Sequence, residues 1–291
     1  MEGEIFMVEL FKIGNFAIYL FSVMIAIGLM IVIGMFIGIY LMHRESKRKG
    51  LDTDSMFELA MYTLVASIIG ARLYYIIVFN PSPYIENLVE IFSLRDGGLS
   101  IQGGLIGGIF FSFWYTKRKK LNFWTAADAF APGIVAAQAV GRIGCDIFGI
   151  PMKTSYPWGI VINSQLLHPA QMYEMILDLI LFVYLWNRRG KIKYNGQLFI
   201  NYIIGFSINR FIIEFFRTNP VVIGSLTVAH ITSIVIIIVA LIVRNITKNK
   251  ERMEKADLQD NIVEVYSYEY IIVVLVGAIG MFIYYNVHSV F

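Results

Sequence analysis

The stretch that decides the fold is AADAFAPGIVAAQAVGRIGCDIFGIP, residues 126–151. It is apolar enough to enter a lipid bilayer, yet it contains Arg142 together with Asp128, Gln138 and Asp146. An arginine near the centre of a membrane-spanning helix costs about 2.5–3.5 kcal/mol on insertion scales, so it needs an internal partner, a water-filled cavity or an anionic ligand. Glycines on both sides of Arg142 remove side-chain bulk. The stretch therefore predicts the wall of a polar site inside a membrane protein.

The composition places the whole chain in the membrane class. Of 291 residues, 57% are hydrophobic and 15% are charged, and the mean hydropathy is +0.66. A soluble domain carries about 25% charged residues. Most of the 24 lysines and arginines lie in four clusters, at residues 44–49, 117–120, 188–193 and 244–255. Because the clusters alternate with connections poor in Lys and Arg, they predict cytoplasmic loops and not a nucleic-acid-binding surface.

The apolar stretches between these clusters predict an all-α bundle of transmembrane helices with the N-terminus outside the cell. Residues 1–243 are expected to form the catalytic bundle, 244–267 a charged cytoplasmic linker and 268–291 an additional C-terminal helix. Eight spans are expected, at about 16–42, 56–79, 97–115, 126–151, 168–187, 197–216, 226–243 and 268–287.

Outside the basic clusters, four arginines lie within the predicted spans or at their outer edges. They are Arg72, Arg142, Arg210 and Arg217. The forked donors of a guanidinium group suit a phosphate because they can bind two oxygens at once. Glu214 follows Arg210 by four residues on the same helix face, and could either orient it or merely neutralise it. The residues alone thus predict an outward-facing cavity for an anionic lipid or another phosphate ester.

Other polar and glycine-rich segments leave alternatives open. His168 is a candidate general base or a helix cap, and Cys145, the only cysteine, is expected to be inert packing. Residues 97–108 contain six glycines, which favour close helix packing or the approach of a lipid to the backbone. No zinc spacing, Walker loop or Ser-His-Asp arrangement is visible, so no cofactor or metal is expected.

Five motifs stand in order along the chain: GARLYY at 70–75, RDGGLSIQGGLIGG at 95–108, GRIG at 141–144, HPAQMYE at 168–174 and RFIIEFFRT at 210–218. Together they resemble the motifs of the phosphatidylglycerol–prolipoprotein diacylglyceryl transferases. The resemblance implies an inner-membrane enzyme of bacteria that moves diacylglycerol from phosphatidylglycerol to the lipobox cysteine thiol of a preprolipoprotein signal peptide. A thioether forms and glycerol 1-phosphate leaves.

The resemblance also suggests roles for individual residues. The catalytic set is Arg142, Arg210 and Glu214: the two arginines would hold the phosphate and Glu214 would orient Arg210. The substrate-binding set is Arg72, Tyr75, Gln102, Gly103, Gly104, His168, Tyr173, Glu174 and Arg217.

The chain departs from the family pattern in three places. Gln102 stands where many members carry His, so a mechanism that uses that base cannot operate here. The polar residues that follow the GRxG motif in the family are absent, and Asp146 or Asn163 are the candidate substitutes. The eighth span exceeds the usual seven-span plan. A paralogue that binds anionic lipid without catalysis or uses another acceptor, and a small-anion transporter, therefore stay open as alternatives.

Overall fold

The computed structural model describes residues 9–13, 16–78, 84, 91, 97–145, 148–162, 164–251 and 266–288. Within these residues the long elements are helices: α1 (Leu20–Arg48), α2 (Thr53–Val78), α3 (Ile101–Arg118), α4 (Phe123–Ile143), α5 (Ala170–Arg188), α6 (Gln197–Glu214), α7 (Val228–Lys250) and α8 (Ser267–His288). The described residues also form three short antiparallel hairpins. β1 (Glu9–Ile13) pairs with β2 (Phe16–Tyr19) before α1, β3 (Ile160–Ile162) pairs with β4 (Gln165–Leu167) between α4 and α5, and β5 (Val221–Ile223) pairs with β6 (Leu226–Thr227) between α6 and α7.

Each of these helices overlaps one predicted span, and the chain is a multi-pass membrane protein. Among the described residues, four helical segments are long and apolar enough to cross a membrane. They are Gly28–Arg48, Thr53–Val78, Val228–Lys250 and Ser267–Asn286. Helices α5 and α6 fall outside that set, and both carry acidic residues that the structure buries. The count of eight crossings stays a prediction.

Some predicted boundaries were wrong. The first span was expected from residue 16, but Phe16–Tyr19 pairs with the preceding strand, and α1 begins at Leu20. Helix α7 continues past the expected end at residue 243 as far as Lys250, because no Gly or Pro interrupts the sequence there. The hairpins were not predicted. Residues 252–265 of the expected linker lie outside the described residues, and the predicted division into domains stays a prediction.

The chain divides into two compact units, one of residues 1–42 with 130–291 and one of residues 43–129. In the larger unit, α4, α5, α6 and α8 supply most of two buried apolar clusters. Helix α1 packs closely on α4 in this unit, since a Cβ atom at Gly133 would lie 2.5 Å from the carbonyl oxygen of Gly38. Small residues at such positions let membrane helices approach.

The smaller unit is organised by the pairing of α2 with α3. A Cβ atom at Gly70 would lie 2.6 Å from the carbonyl oxygen of Gly103, and one at Gly107 would lie 2.6 Å from that of Ala66. The glycine-rich run therefore serves close helix packing in this structure, which was one of its two predicted roles.

In the larger unit, residues 149–152 tie three chain segments together. The backbone N–H of Gly149 donates to the carbonyl of His168 (2.8 Å), and that of Ile150 donates to the carbonyl of Phe216 (2.9 Å). A Cβ atom at Gly149 would lie 2.4 Å from the Phe216 carbonyl oxygen, so only glycine permits this approach. As a result, the segment after α4, the start of α5 and the end of α6 converge.

Candidate active site

Arg142 and Glu174 form the first charged pair of the larger unit. Arg142 lies in the last turn of α4, and its Nη2 atom is 2.8 Å from Oε1 of Glu174, near the start of α5. The Glu174 side chain is 2% exposed, whereas 24% of Arg142 remains exposed. The carboxylate is thus a buried support, and the guanidinium group keeps a surface for a ligand.

Glu214 forms ion pairs with two further arginines. Its Oε2 atom lies 3.1 Å from Nη2 of Arg210 and 3.9 Å from Nε of Arg217. Its Oε1 atom accepts hydrogen bonds from Nδ2 of Asn219 and Oγ1 of Thr227, both at 2.7 Å. One carboxylate oxygen of Glu214 thus faces two cations, the other accepts two hydrogen bonds, and the side chain is buried. Glu214 is therefore positioned to hold the two arginines in place.

The two groups of charges belong to one cluster. Arg217 interacts electrostatically with Arg142, Arg210, Glu174 and Glu214. Burial, and next the positive charge of Arg210, lower the pKa of the Arg217 guanidinium group, while the two carboxylates raise it. Three arginines and two glutamates leave a formal charge of +1 (3 − 2). We call these five residues the arginine cluster, and its net charge suits a single phosphodiester anion.

An aromatic group lies at the start of α5. The Tyr173 hydroxyl accepts a hydrogen bond from Nε1 of Trp158 (2.9 Å) and lies 3.1 Å from Nδ1 of His168. The rings of His168 and Tyr173 both contact Phe216, with centroids 5.2 and 5.3 Å away. Trp158 also stacks on Tyr156 at 4.8 Å. We call Tyr156, Trp158, His168, Tyr173 and Phe216 the aromatic wall. His168 is a hydrogen-bonded member of it, and Phe216 directly precedes Arg217 in the chain.

Arg72 belongs to the smaller unit, and its guanidinium group donates hydrogen bonds to backbone carbonyls of other residues in that unit. Its Nη1 atom donates to the carbonyls of Gly97 (2.7 Å) and Gly98 (3.0 Å), and its Nε atom donates to that of Ile91 (3.0 Å). A Cβ atom at Gly98, whose φ is +78°, would lie 2.8 Å from the ring of Tyr75. Arg72 and Tyr75 thus order the segment before α3.

The other predicted residues of the smaller unit lie at the start of α3. The exposed Gln102 accepts a hydrogen bond from the hydroxyl of Ser100 (2.7 Å) through Oε1. Gly103 and Gly104 face α2, where added Cβ atoms would lie 2.3 Å from the Gly70 carbonyl oxygen and 3.4 Å from that of Ser67. Substrate binding by these residues stays a prediction.

Several polar residues of the larger unit were missed from sequence. Asn219 and Thr227 hold Glu214, as described above. Nε2 of Gln171 donates to the Cys145 carbonyl (3.0 Å), and the buried Asp178 accepts from Nδ2 of Asn209 (3.0 Å). The sequence did contain one signal for Asp178: it follows Glu174 by four residues, which places both acidic side chains on the same face of α5. The candidate substitutes Asp146 and Asn163 lie outside the described residues.

Comparison with known proteins decides the family. The sequence model described as "Prolipoprotein diacylglyceryl transferase" matches residues 8–246. The chain belongs to the prolipoprotein diacylglyceryl transferase family. The family predicted from the motifs is thus confirmed, and with it a transferase of lipoprotein biosynthesis. Helix α8 lies beyond the residues that the family model matches.

Relatives named phosphatidylglycerol–prolipoprotein diacylglyceryl transferase agree with this assignment. The protein of Clostridioides difficile strain 630 is 40% identical over 217 residues, which cover 74% of this chain and 87% of the relative. The protein of Halalkalibacterium halodurans is 36% identical, covering 79% and 83%. That of Finegoldia magna is 35% identical, covering 79% and 93%. The similarity extends over most of the length of these enzymes.

Proposed function

We propose that this chain transfers the diacylglyceryl group of phosphatidylglycerol to the lipobox cysteine of a preprolipoprotein, in the membrane of a bacterial cell. The names of the relatives supply the lipid and the class of protein acceptor. The observation that carries the proposal is the arginine cluster, in which two buried carboxylates hold three guanidinium groups. A site of this kind is suited to a reaction that expels a phosphate ester.

The chemistry explains why cations are needed. The cysteine sulfur attacks the glycerol carbon that bears the phosphate, a C–S bond forms, and the C–O bond to the phosphate breaks. The electron pair of that bond moves to the phosphate oxygen, and the proton lost by the thiol balances the additional charge of glycerol 1-phosphate. Because negative charge grows on the phosphate oxygens, preorganised donors stabilise the transition state more than the bound lipid.

Each member of the arginine cluster has a proposed task. Arg142 and Arg210 bind the phosphate oxygens, since both keep 24% of their side chains exposed. Glu174 orients Arg142, and Glu214 orients Arg210. Arg217, which interacts electrostatically with the other four members, adds positive charge to the cluster. The sulfur comes from the acceptor protein, so Cys145 is not required as a nucleophile.

Residues outside the arginine cluster are proposed to bind substrate. His168 and Tyr173 line the larger unit beside Phe216. In the smaller unit, the proposed residues keep the predicted assignment, namely Arg72, Tyr75, Gln102, Gly103 and Gly104.

The proposed topology places the N-terminus outside the cell and the four basic clusters inside, with seven family-like spans followed by α8. It is supported by the distribution of Lys and Arg along the chain. On this topology the arginine cluster faces the outer side, where the cysteine of an exported precursor becomes available.

The test is incubation of the purified full chain with phosphatidylglycerol and a lipobox peptide, scored by mass spectrometry. We expect the peptide to gain the mass of one diacylglyceryl group, and we expect no gain with a Cys→Ser peptide or with the Arg142→Ala protein. A folded protein that binds phosphatidylglycerol and never modifies the peptide would overturn the proposal in favour of non-catalytic lipid binding. Transport of phosphate esters across proteoliposomes without consumption of lipid would favour a transporter.

A further inference from the structure

Helix α8 packs against residues that adjoin the Arg142–Glu174 pair. A Cβ atom at Gly280 would lie 2.8 Å from Cδ1 of Ile143 and 3.0 Å from Sδ of Met175. Those two residues directly follow Arg142 and Glu174 in the chain. Because α8 lies beyond the family match, this close packing on the site is a feature that family membership alone does not explain.

A first hydrogen-bond chain leads from α8 to the end of α4. The hydroxyl of Tyr284, which is fully buried, donates to Oε1 of Gln171 at 3.3 Å. The Nε2 atom of Gln171 donates in turn to the Cys145 carbonyl at 3.0 Å. Gln171 stands three residues before Glu174, and Cys145 three residues after Arg142. These two hydrogen bonds therefore fix the two backbone segments that carry the Arg142–Glu174 ion pair.

A second chain leads from α8 to the aromatic wall. The hydroxyl of Tyr285 donates to the Trp158 carbonyl at 2.7 Å. Nε1 of Trp158 donates to the Tyr173 hydroxyl at 2.9 Å, and that hydroxyl lies 3.1 Å from Nδ1 of His168. The loop that bears Trp158 is thus held between α8 and the start of α5.

The opposite end of α8 is held by separate contacts. Nε1 of Trp186 donates to Oε2 of Glu269 at 2.8 Å, and the Tyr270 hydroxyl donates to Oδ1 of Asn187. These residues lie at the end of α5 and the start of α8, far along both helices from Tyr284. The docking of α8 and its contacts near the site can therefore be perturbed independently.

We infer that α8 is a working part of the transferase site, in which Tyr284 and Tyr285 are positioning residues. Tyr284 holds the segment after Arg142, and Tyr285 holds the loop over Tyr173. The inference rests on the proposed function. Its physical basis is that a transition state is stabilised only by donors already in place, and that displacements of about 1 Å can cost about 100-fold in rate.

The experiment compares single hydroxyl deletions in the full chain. Tyr284→Phe and Tyr285→Phe are each expected to lower kcat for the lipobox peptide about three- to tenfold, the effect of one lost hydrogen bond. The matched control is Tyr270→Phe, which removes the same atom from the same helix, and it is expected to stay within about twofold of wild type. KM for phosphatidylglycerol and the thermal unfolding midpoint should not distinguish the three variants.

The outcomes separate this inference from the proposed function. An active wild type, with kcat unchanged in the Tyr284→Phe and Tyr285→Phe double variant, would overturn the role of α8 and leave the transferase in place. Equal losses in Tyr270→Phe and Tyr284→Phe would overturn it as well, since they would indicate general docking of α8. An inactive wild type would overturn both proposals.

Discussion

Nη2 of Arg142 lies 2.8 Å from Oε1 of Glu174, and this contact joins the end of α4 to the start of α5. The two residues belong to different motifs, and no spacing along a single helix brings them together. The Glu174 side chain is 2% exposed, and the free-energy cost of burying a charged group is offset in part when an opposite charge lies beside it. The pair therefore explains how the polar stretch that ends α4 is accommodated in an apolar chain.

Glu174→Gln tests the support of Arg142. The change keeps the side chain's size and removes its charge, so the Arg142 guanidinium group loses its ion-pair partner. We expect turnover to fall about 10- to 100-fold, since contacts between charged groups contribute about 1.5–3 kcal/mol. The control is Glu58→Gln, which breaks an exposed pair with Lys119 and should leave the rate of peptide modification unchanged. Equal rates in the two variants would contradict the proposed support.

Arg210→Lys tests the phosphate contact. Lysine keeps the charge but cannot reproduce the two-pronged geometry of guanidinium, nor fill the space beside Glu214. We expect a loss of about 100-fold in kcat, the usual effect of removing one preorganised donor. Arg118→Lys, at the exposed end of α3, is the matched control. Wild-type turnover in Arg210→Lys, with both proteins inserted in the membrane, would refute the assignment.

Local patterns in the sequence predicted part of the arginine cluster. Arg210 and Glu214 were expected to meet because they lie four residues apart on one helix, and the structure shows that ion pair. The long helices were expected because apolar runs separate the basic clusters. The contact of Arg142 with Glu174 was not predicted, because it depends on how two helices pack.

The short hairpins were not predictable for a related reason. Strand β6 has two residues, too few to show alternation of apolar and polar side chains. Yet β6 places Thr227 beside Glu214, so a feature with no clear pattern completes the cluster. The same holds for Gly149, whose role emerges only when three chain segments converge on it.

Thr227→Val tests whether the hydrogen bond from Thr227 holds Glu214 in place. The substitution keeps the shape of the side chain and removes the hydroxyl that donates to Oε1 at 2.7 Å. We expect kcat to fall about three- to tenfold because the carboxylate that orients Arg210 is less constrained. Thr232→Val makes the same change at an exposed position of α7 and should match wild type. A smaller effect at position 227 than at position 232 would count against the support.

Gln102→Ala tests whether Gln102 acts chemically. Its side chain is exposed, and its Oε1 atom accepts from Ser100 within the same turn. We therefore expect kcat to change by no more than about twofold, and a loss of the proposed substrate contact to appear in KM alone. Arg142→Ala, assayed in parallel, supplies the reference for a severe loss. A decrease of several orders of magnitude would instead show that Gln102 positions the thiol.

Gly70→Val tests whether close approach of α2 and α3 stabilises the smaller unit. A Cβ atom at Gly70 would lie 2.6 Å from the Gly103 carbonyl oxygen, so a branched side chain must push the helices apart. Overpacking of this kind costs about 1–3 kcal/mol. The control is Gly28→Val in α1, where no atom lies within 4 Å of the added Cβ. Both substitutions make the same change in helix propensity, so the comparison isolates the effect of packing. Loss of helical circular dichroism on heating in detergent should therefore occur at a lower temperature for Gly70→Val. Identical midpoints would show that α2 and α3 can separate without cost.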